Sequence, residues 1–134
     1  MGYGTPIAID KAMKIAISHW QGRVSPVFDV SSEVFLVDIE DGQVNSGQIV
    51  LLGHHNPFTR AQEIAALGVQ MLICGAISFD LKTILSEAGI QVLGFCCGAL
   101  EDILGALRTG TFCRDRFCMP GSLDSMDRRI LNER

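Results

Sequence analysis

VQMLICGAISFDLKTILSEAGIQVLGFCCGALEDILGALRTG, residues 69–110, decides the fold, because short apolar runs alternate there with helical patterns. Apolar residues recur three, four and seven positions after Leu81 and again after Leu100, which is the spacing of a helix with one buried face. Ser78 fits the N-cap of the first helix, and Gly110 fits the end of the second. Strands that alternate with helices predict right-handed crossovers in a parallel sheet.

The residues before this stretch follow a different pattern. KIAIS (residues 14–18) and residues 34–39 have the β-branched, alternating composition of strands, separated by a loop over 19–32. Asp41 and Gly42 indicate a hairpin that leads into a third strand over 48–52. Asn56 and Pro57 then fit the N-cap and first position of a helix that ends at Gly68. The chain therefore predicts an α/β fold with five strands, two of them at 69–74 and 91–95, and three helices.

Composition and charge narrow the classes of function. The 134 residues are 48% hydrophobic and 19% charged, which predicts one folded domain over 14–110. Residues 111–134 form a polar tail with Cys113, Cys118 and a short helix near 123–131. Up to Cys113 the chain has 6 basic and 11 acidic residues, a poor match for nucleic acid. No apolar run reaches the roughly 18 residues that span a bilayer, and no signal peptide is evident, so we expect a cytoplasmic protein without membrane or nucleic-acid partners.

Familiar catalytic and metal motifs are missing. The sequence has no G-x-G-x-x-G after a strand, no phosphate-binding G-x-x-x-x-G-K, no G-x-S-x-G and no C-x-x-C. We therefore expect a protein that is not an enzyme.

Histidines and cysteines follow the strands whose carboxyl ends are expected to share one sheet edge, where open α/β sheets bind ligands. These residues are His19, His54, His55, Cys74, Cys96 and Cys97, with Trp20 beside the first of them. Imidazole and thiolate suit zinc, copper and iron. Each residue also has a structural interpretation, because buried cysteine packs as a small hydrophobe and loop histidines are often merely solvated. Cys113 and Cys118 form a C-x4-C pair that we consider as a second metal site.

Four segments resemble the dinitrogenase iron–molybdenum cofactor biosynthesis family. They are KIAISHWQGRVSPVFDVSSEVFLVDIEDGQV from residue 14, LGHHNP from residue 52, VQMLICGAIS from residue 69 and SEAGIQVLGF from residue 86. The resemblance covers roughly residues 14–110. It rests on the order of the S-P-x-F segment (25–28), the histidine pair, the Cys-Gly step and the E-A-G-I turn.

The resemblance implies a ribonuclease H-like, three-layer α/β fold with a five-stranded mixed sheet and three helices. It also implies a non-catalytic carrier of an iron–molybdenum-type or other metal–sulfur cluster, with cluster-assembly or acceptor proteins as partners. We expect His54 or His55 to contact the cluster with backbone N–H groups of the following helix, assisted by His19, Cys74 or Cys96.

Two alternatives stay open. One is a small zinc-binding or protein-interaction module that uses His54, His55, Cys113 and Cys118. The other, and the least favoured, is a two-metal nuclease, because the first strand KIAIS supplies no carboxylate to hold paired ions.

Overall fold

The computed structural model describes residues 12–41, 43–53, 55–112 and 117–118. Its elements follow in the order β1 Met13–Trp20, β2 Arg23–Val24, β3 Glu33–Glu40, β4 Gln43–Leu51, α1 Pro57–Ala66, β5 Met71–Ile73, α2 Phe79–Glu87, β6 Gln91–Leu93 and α3 Leu100–Thr109. His54, Cys113 and the expected helix near 123–131 lie outside the described residues.

The sheet is mixed and its strand order is β4-β3-β1-β5-β6. β3 is antiparallel to both β1 and β4, whereas β5 is parallel to β1 and β6 is parallel to β5. This arrangement confirms the predicted meander followed by crossovers. It also means that β1, β4, β5 and β6 all point the same way.

The predicted strand count and one loop boundary need correction. Residues 19–32 do not form one loop, because β1 continues to Trp20 and turns through Gln21 and Gly22 into a two-residue strand, β2. Both turn residues have positive φ, 50° and 81°. The sheet of the described residues therefore has six strands, the five expected and β2, which pairs with β1 alone.

Two hydrophobic clusters cover the two faces of the sheet and make three layers. Ile15 and Ile17 of β1 pack with Ile103 and Leu107 of α3 on one face. Ala16 packs on the opposite face with side chains of α1 and α2, such as Ile64 and Leu85. Successive residues of a strand point to opposite faces, so a single strand supplies both cores.

The helix ends follow the predicted local chemistry. The Asn56 side chain caps α1 with Pro57 in its first turn, and the Ser78 hydroxyl accepts the Leu81 N–H at the start of α2. Gly110 ends α3 with a φ of 71°, a left-handed conformation that suits glycine.

Candidate functional site

One edge of the sheet collects the starts of the three α-helices in the described part of the chain. α1, α2 and α3 follow β4, β5 and β6, whose carboxyl ends lie at the same edge because these strands run in the same direction. A helix N-terminus carries roughly half a positive charge. The first turn of α1 has no acidic residue, so its start favours negative charge. The first turns of α2 and α3 already hold carboxylates, those of Asp80, Glu101 and Asp102.

An open cavity of about 320 Å³ lies at the carboxyl edge. Its lining combines apolar side chains with three serines and consists of Trp20, Ser25, Pro26, Val27, Val30, Ser31 and Ser32. Trp20 is 50% exposed and Val30 is 66% exposed. The cavity thus offers apolar contact and the hydroxyl of the exposed Ser32 to a bound molecule, whereas the hydroxyls of Ser25 and Ser31 already donate to backbone carbonyls.

A close backbone contact fixes one wall of this cavity. The Ala76 N–H donates to the Pro26 carbonyl and the Phe28 N–H donates to the Ala76 carbonyl, each at 2.8 Å. Gly75 lies in this contact, where a Cβ would stand 2.4 Å from the carbonyl oxygens of Ser25 and Pro26. Glycine is therefore required here by space, and the S-P-x-F segment is held against the loop after β5.

A buried cation, the guanidinium group of Arg60, is hydrogen-bonded to the S-P-x-F segment. Arg60 of α1 is fully buried, its Nη1 donates to the Phe28 carbonyl at 2.7 Å, and its guanidinium lies 5.4 Å from the Phe28 ring centre. Burial lowers the pKa of Arg60, while the nearby carboxylates of Glu63 and Asp29 oppose that shift. Arginine keeps its proton even so, so a positive charge stays beneath the cavity wall.

Asp29 ties the same segment to α2. Its Oδ1 accepts the backbone N–H of Ser78 at 2.8 Å. Ser78 is the N-cap of α2, so the carboxylate lies at the positive end of that helix, where a negative charge is favourable.

His19 lies at this edge with both ring nitrogens hydrogen-bonded. Nδ1 is 2.6 Å from Oε2 of Glu33, and Nε2 accepts the backbone N–H of Gly22 at 3.1 Å. The acceptor role of Nε2 implies that the proton is on Nδ1. A metal could bind His19 only after one of these hydrogen bonds is broken.

His55 is exposed, and Leu52, three residues before it, contacts the lining of the cavity. The Leu52 N–H donates to the carbonyl of Ser32, which lines the cavity. Three residues span at most roughly 10–11 Å, so the His55 backbone lies within that distance of Leu52. Contact of His55 with a ligand in the cavity stays a prediction.

The first backbone N–H groups of α1, which were expected to contact a ligand, are hydrogen-bonded within the chain. Asn56 Oδ1 accepts the N–H groups of Phe58 and Thr59, and the Asn56 carbonyl accepts that of Arg60. Pro57 has no N–H to offer. Contact between these N–H groups and a ligand stays a prediction, and it requires that one of these hydrogen bonds be broken.

Cys74 and Cys96 are fully buried on opposite faces of the sheet. Cys74 packs in the cluster beside α1 and α2, and Cys96 packs in the cluster beside α3. The Cys96 thiol is 3.5 Å from the Leu93 carbonyl oxygen. The two thiols consequently do not converge on one ligand in this structure.

Cys97 and Cys118 lie near β6, far from His55. Cys118 is the bridge partner of Cys96, and the Cys97 thiol is 3.7 Å from the Cys118 carbonyl oxygen. His55 follows β4, at the opposite end of the strand order, and four strand spacings amount to roughly 19 Å. The arrangement gives no support to a zinc site that joins His55 to Cys118.

Within the described ranges, no three histidine, cysteine or acidic side chains come together to hold a metal ion. No described helix is long and apolar enough to cross a membrane.

Sequence reasoning missed Arg60 and the contact at Gly75. A signal for Arg60 was present, because it lies four residues before the buried Ile64 and so shares the apolar face of α1. The contact at Gly75 had no local signal, because its partners at 25 and 26 are remote in sequence.

Comparison with known proteins identifies the family of this chain. Residues 11–110 match the family model described as dinitrogenase iron-molybdenum cofactor. No curated protein matches the sequence.

Solved structures share the fold at low sequence identity. PH0822 is 23% identical with a TM-score of 0.67, over 73% of this chain and 90% of its own. MJ0327 from Methanocaldococcus jannaschii, a candidate dinitrogenase, is 20% identical with a TM-score of 0.61, over 76% of this chain and 93% of its own. TM1290 from Thermotoga, a candidate NifB protein, is 21% identical with a TM-score of 0.56, over 74% of this chain and 90% of its own. These likenesses establish the three-layer fold.

Proposed function

Because the chain belongs to the dinitrogenase iron-molybdenum cofactor family, we propose that it binds a preformed, anionic metal–sulfur cluster as cargo and does not catalyse a reaction. The cluster is of the iron–molybdenum type or a related one. The carrier receives it from an assembly protein and passes it to an acceptor protein.

The observation that carries this proposal is an open cavity at the carboxyl edge, the edge at which α1 starts with no acidic residue in its first turn. The dipole of α1 favours an anion, while the carboxylates of Glu63 and Asp29 offset the buried charge of Arg60. Sulfide surfaces of a cluster accept hydrogen bonds, which the hydroxyl of the exposed Ser32 is able to donate. Trp20 and Val30 supply apolar contact for the rest of such a surface.

Ligation by the histidine pair completes the proposal. We propose that His55, which is exposed, and His54, which precedes it in the chain, ligate the cluster at this edge. A carrier that must release its cargo needs few bonds to metal, which agrees with the lack of a three-ligand group among the described side chains. His19, Cys74 and Cys96 are second candidates, and each would have to leave its present hydrogen bond or packing to take part.

Anaerobic titration with tetrathiomolybdate, a metal–sulfur dianion that absorbs visible light, tests the proposal. The wild-type chain is expected to retain molybdenum and the visible band through gel filtration. Replacement of both histidines by alanine should lower the affinity by about tenfold or more, which corresponds to roughly 1.4 kcal/mol. Gln62→Ala, at an exposed position of α1, is the matched control and should bind like the wild type.

Two outcomes would contradict the proposal. A wild-type chain that retains no molybdenum or visible band argues against a cluster carrier. A double-histidine variant that binds as tightly as the wild type would remove the histidines from the site, and the same titration of Cys113→Ala and Cys118→Ala would then test the tail.

A further inference from the structure

β4 is a long edge strand whose ladder with β3 is regular from Leu51 to Gly47 and has one register shift, between Gly47 and Val44. Among the described residues its one strand neighbour is β3, and its nine residues QVNSGQIVL contain no proline and no charged side chain. Natural proteins commonly blunt an exposed edge with lysine, proline or a very short strand. β6, at the other end of the strand order, is only three residues long.

The outward backbone groups of β4 can be assigned from its ladder with β3. The Leu52 N–H donates to the Ser32 carbonyl at 2.9 Å, and hydrogen-bonded pairs alternate along an antiparallel ladder. The regular register from Leu51 back to Gly47 therefore turns the N–H and C=O groups of Val50 toward β3. Those of Gly47, Ile49 and Leu51 point to the open edge.

The same three residues present an apolar surface on one face of the sheet. Ile49 is 45% exposed and Leu51 is 76% exposed. Gly47 has no side chain, and its place is taken by the ring of Phe35, which would lie 2.3 Å from a Cβ at this position. Along the edge, the apolar side chains of Leu51 and Ile49 are thus followed by the Phe35 ring at Gly47, which we call the aromatic platform.

We propose that this edge pairs with β4 of a second copy of the chain, antiparallel and about a two-fold axis at Ile49. Ile49 then faces its own counterpart, and each Leu51 faces Gly47 of the partner subunit. The partner's Gly47 has no side chain, so the Leu51 side chain that faces it can cover the aromatic platform of the partner subunit. A two-fold interface uses one patch twice and must be self-complementary, which this segment is.

The pairing sets the amino-terminal half of the partner's β4 beside the chain that leads from β4 to α1. With the axis at Ile49, Gln43 of the partner subunit stands opposite His55, and the two carboxyl edges lie at opposite ends of the joined sheet. The inference is independent of the proposed cargo.

Analytical ultracentrifugation of the full chain over a wide concentration range tests the pairing. The wild type is expected to dimerise. I49K and I49E should each raise the dimer dissociation constant by about tenfold or more, because like charges would face each other across the axis. An equal mixture of the two variants should restore dimers, since opposite charges then meet. Far-UV circular dichroism should match that of the wild type, because residue 49 is half exposed.

Two further measurements separate strand pairing from general hydrophobic association. Phe79→Lys removes a side chain that is 80% exposed on α2 and should leave the dimer intact. Amide hydrogen exchange should be slow at Gly47, Ile49 and Leu51 in the wild type and fast in I49K.

A wild-type chain that stays monomeric overturns the proposal. A mixture of I49K and I49E that stays monomeric, or a dimer dissociated by Phe79→Lys and not by I49K, overturns it as well.

Discussion

Gly75→Ala should strongly destabilise the protein, although it adds only one methyl group. The new Cβ would lie 2.4 Å from the carbonyl oxygens of Ser25 and Pro26, where an ordinary contact begins at 3.4 Å. The obstacle is backbone on both sides, so the S-P-x-F segment must move by about 1 Å and cannot simply change a rotamer.

The magnitude follows from what that movement disturbs. Overpacking alone costs roughly 1–3 kcal/mol. The displacement also strains the two hydrogen bonds between Ala76 and the 26–28 segment, each worth about 0.5–1.5 kcal/mol. Because the segment can relax and keep part of this bonding, we expect the free energy of unfolding to fall by about 2–4 kcal/mol.

Urea denaturation followed by circular dichroism measures this change, with an unchanged m-value as the check on two-state behaviour. Gly105→Ala is the matched control, because a Cβ at Gly105 meets nothing within 4 Å and the position is inside α3. Alanine there should stabilise the protein by up to about 1 kcal/mol. A Gly75→Ala variant within about 0.5 kcal/mol of the wild type would refute the packing argument.

Two further substitutions test the buried polar groups beneath the carboxyl edge. Arg60→Met should lower the free energy of unfolding by about 1.5–3 kcal/mol, because it leaves the Phe28 carbonyl without its charged donor. Arg60→Lys should recover part of this loss in the same urea assay. Equal losses in both variants would contradict the role of the charge. Ser18→Ala should raise the free energy of unfolding by about 0.5–2 kcal/mol, because the buried Oγ has no hydrogen-bond partner among the described residues. A clear loss of thermal stability would show that this hydroxyl is hydrogen-bonded.

Most helices and strands were predictable from the sequence, because the patterns that encode them involve residues close together in the chain. The helix over 100–109 is encoded by apolar residues three and four positions apart and by a glycine at its end, all within one short stretch. The caps at Asn56 and Ser78 likewise depend on residues two or three positions away. The family resemblance adds the expected three-layer arrangement, which the sheet order confirms.

The candidate site was only partly predictable, because its contacts depend on the three-dimensional arrangement of the side chains and not on local sequence patterns. Sequence position indicated which residues follow the strands, but not how their polar atoms are used. His19 has both ring nitrogens hydrogen-bonded, and Asn56 takes up the N–H groups that were expected to face a ligand. These outcomes depend on geometry at the scale of single hydrogen bonds, which spacing along the chain does not fix.

The sequence by itself determined the three helices and five of the six described strands, with their order along the chain. Periodicity and capping are interactions between near neighbours, so they can be read along the chain. The tertiary structure alone decided that Arg60 supports Phe28 across 32 positions and that Asp29 binds the start of α2 across 49. It alone placed Cys74 and Cys96 on opposite faces and left the outer edge of β4 open among the described strands. Contacts between distant residues exist only once the whole sheet has assembled, because packing and not local spacing brings those atoms within bonding distance.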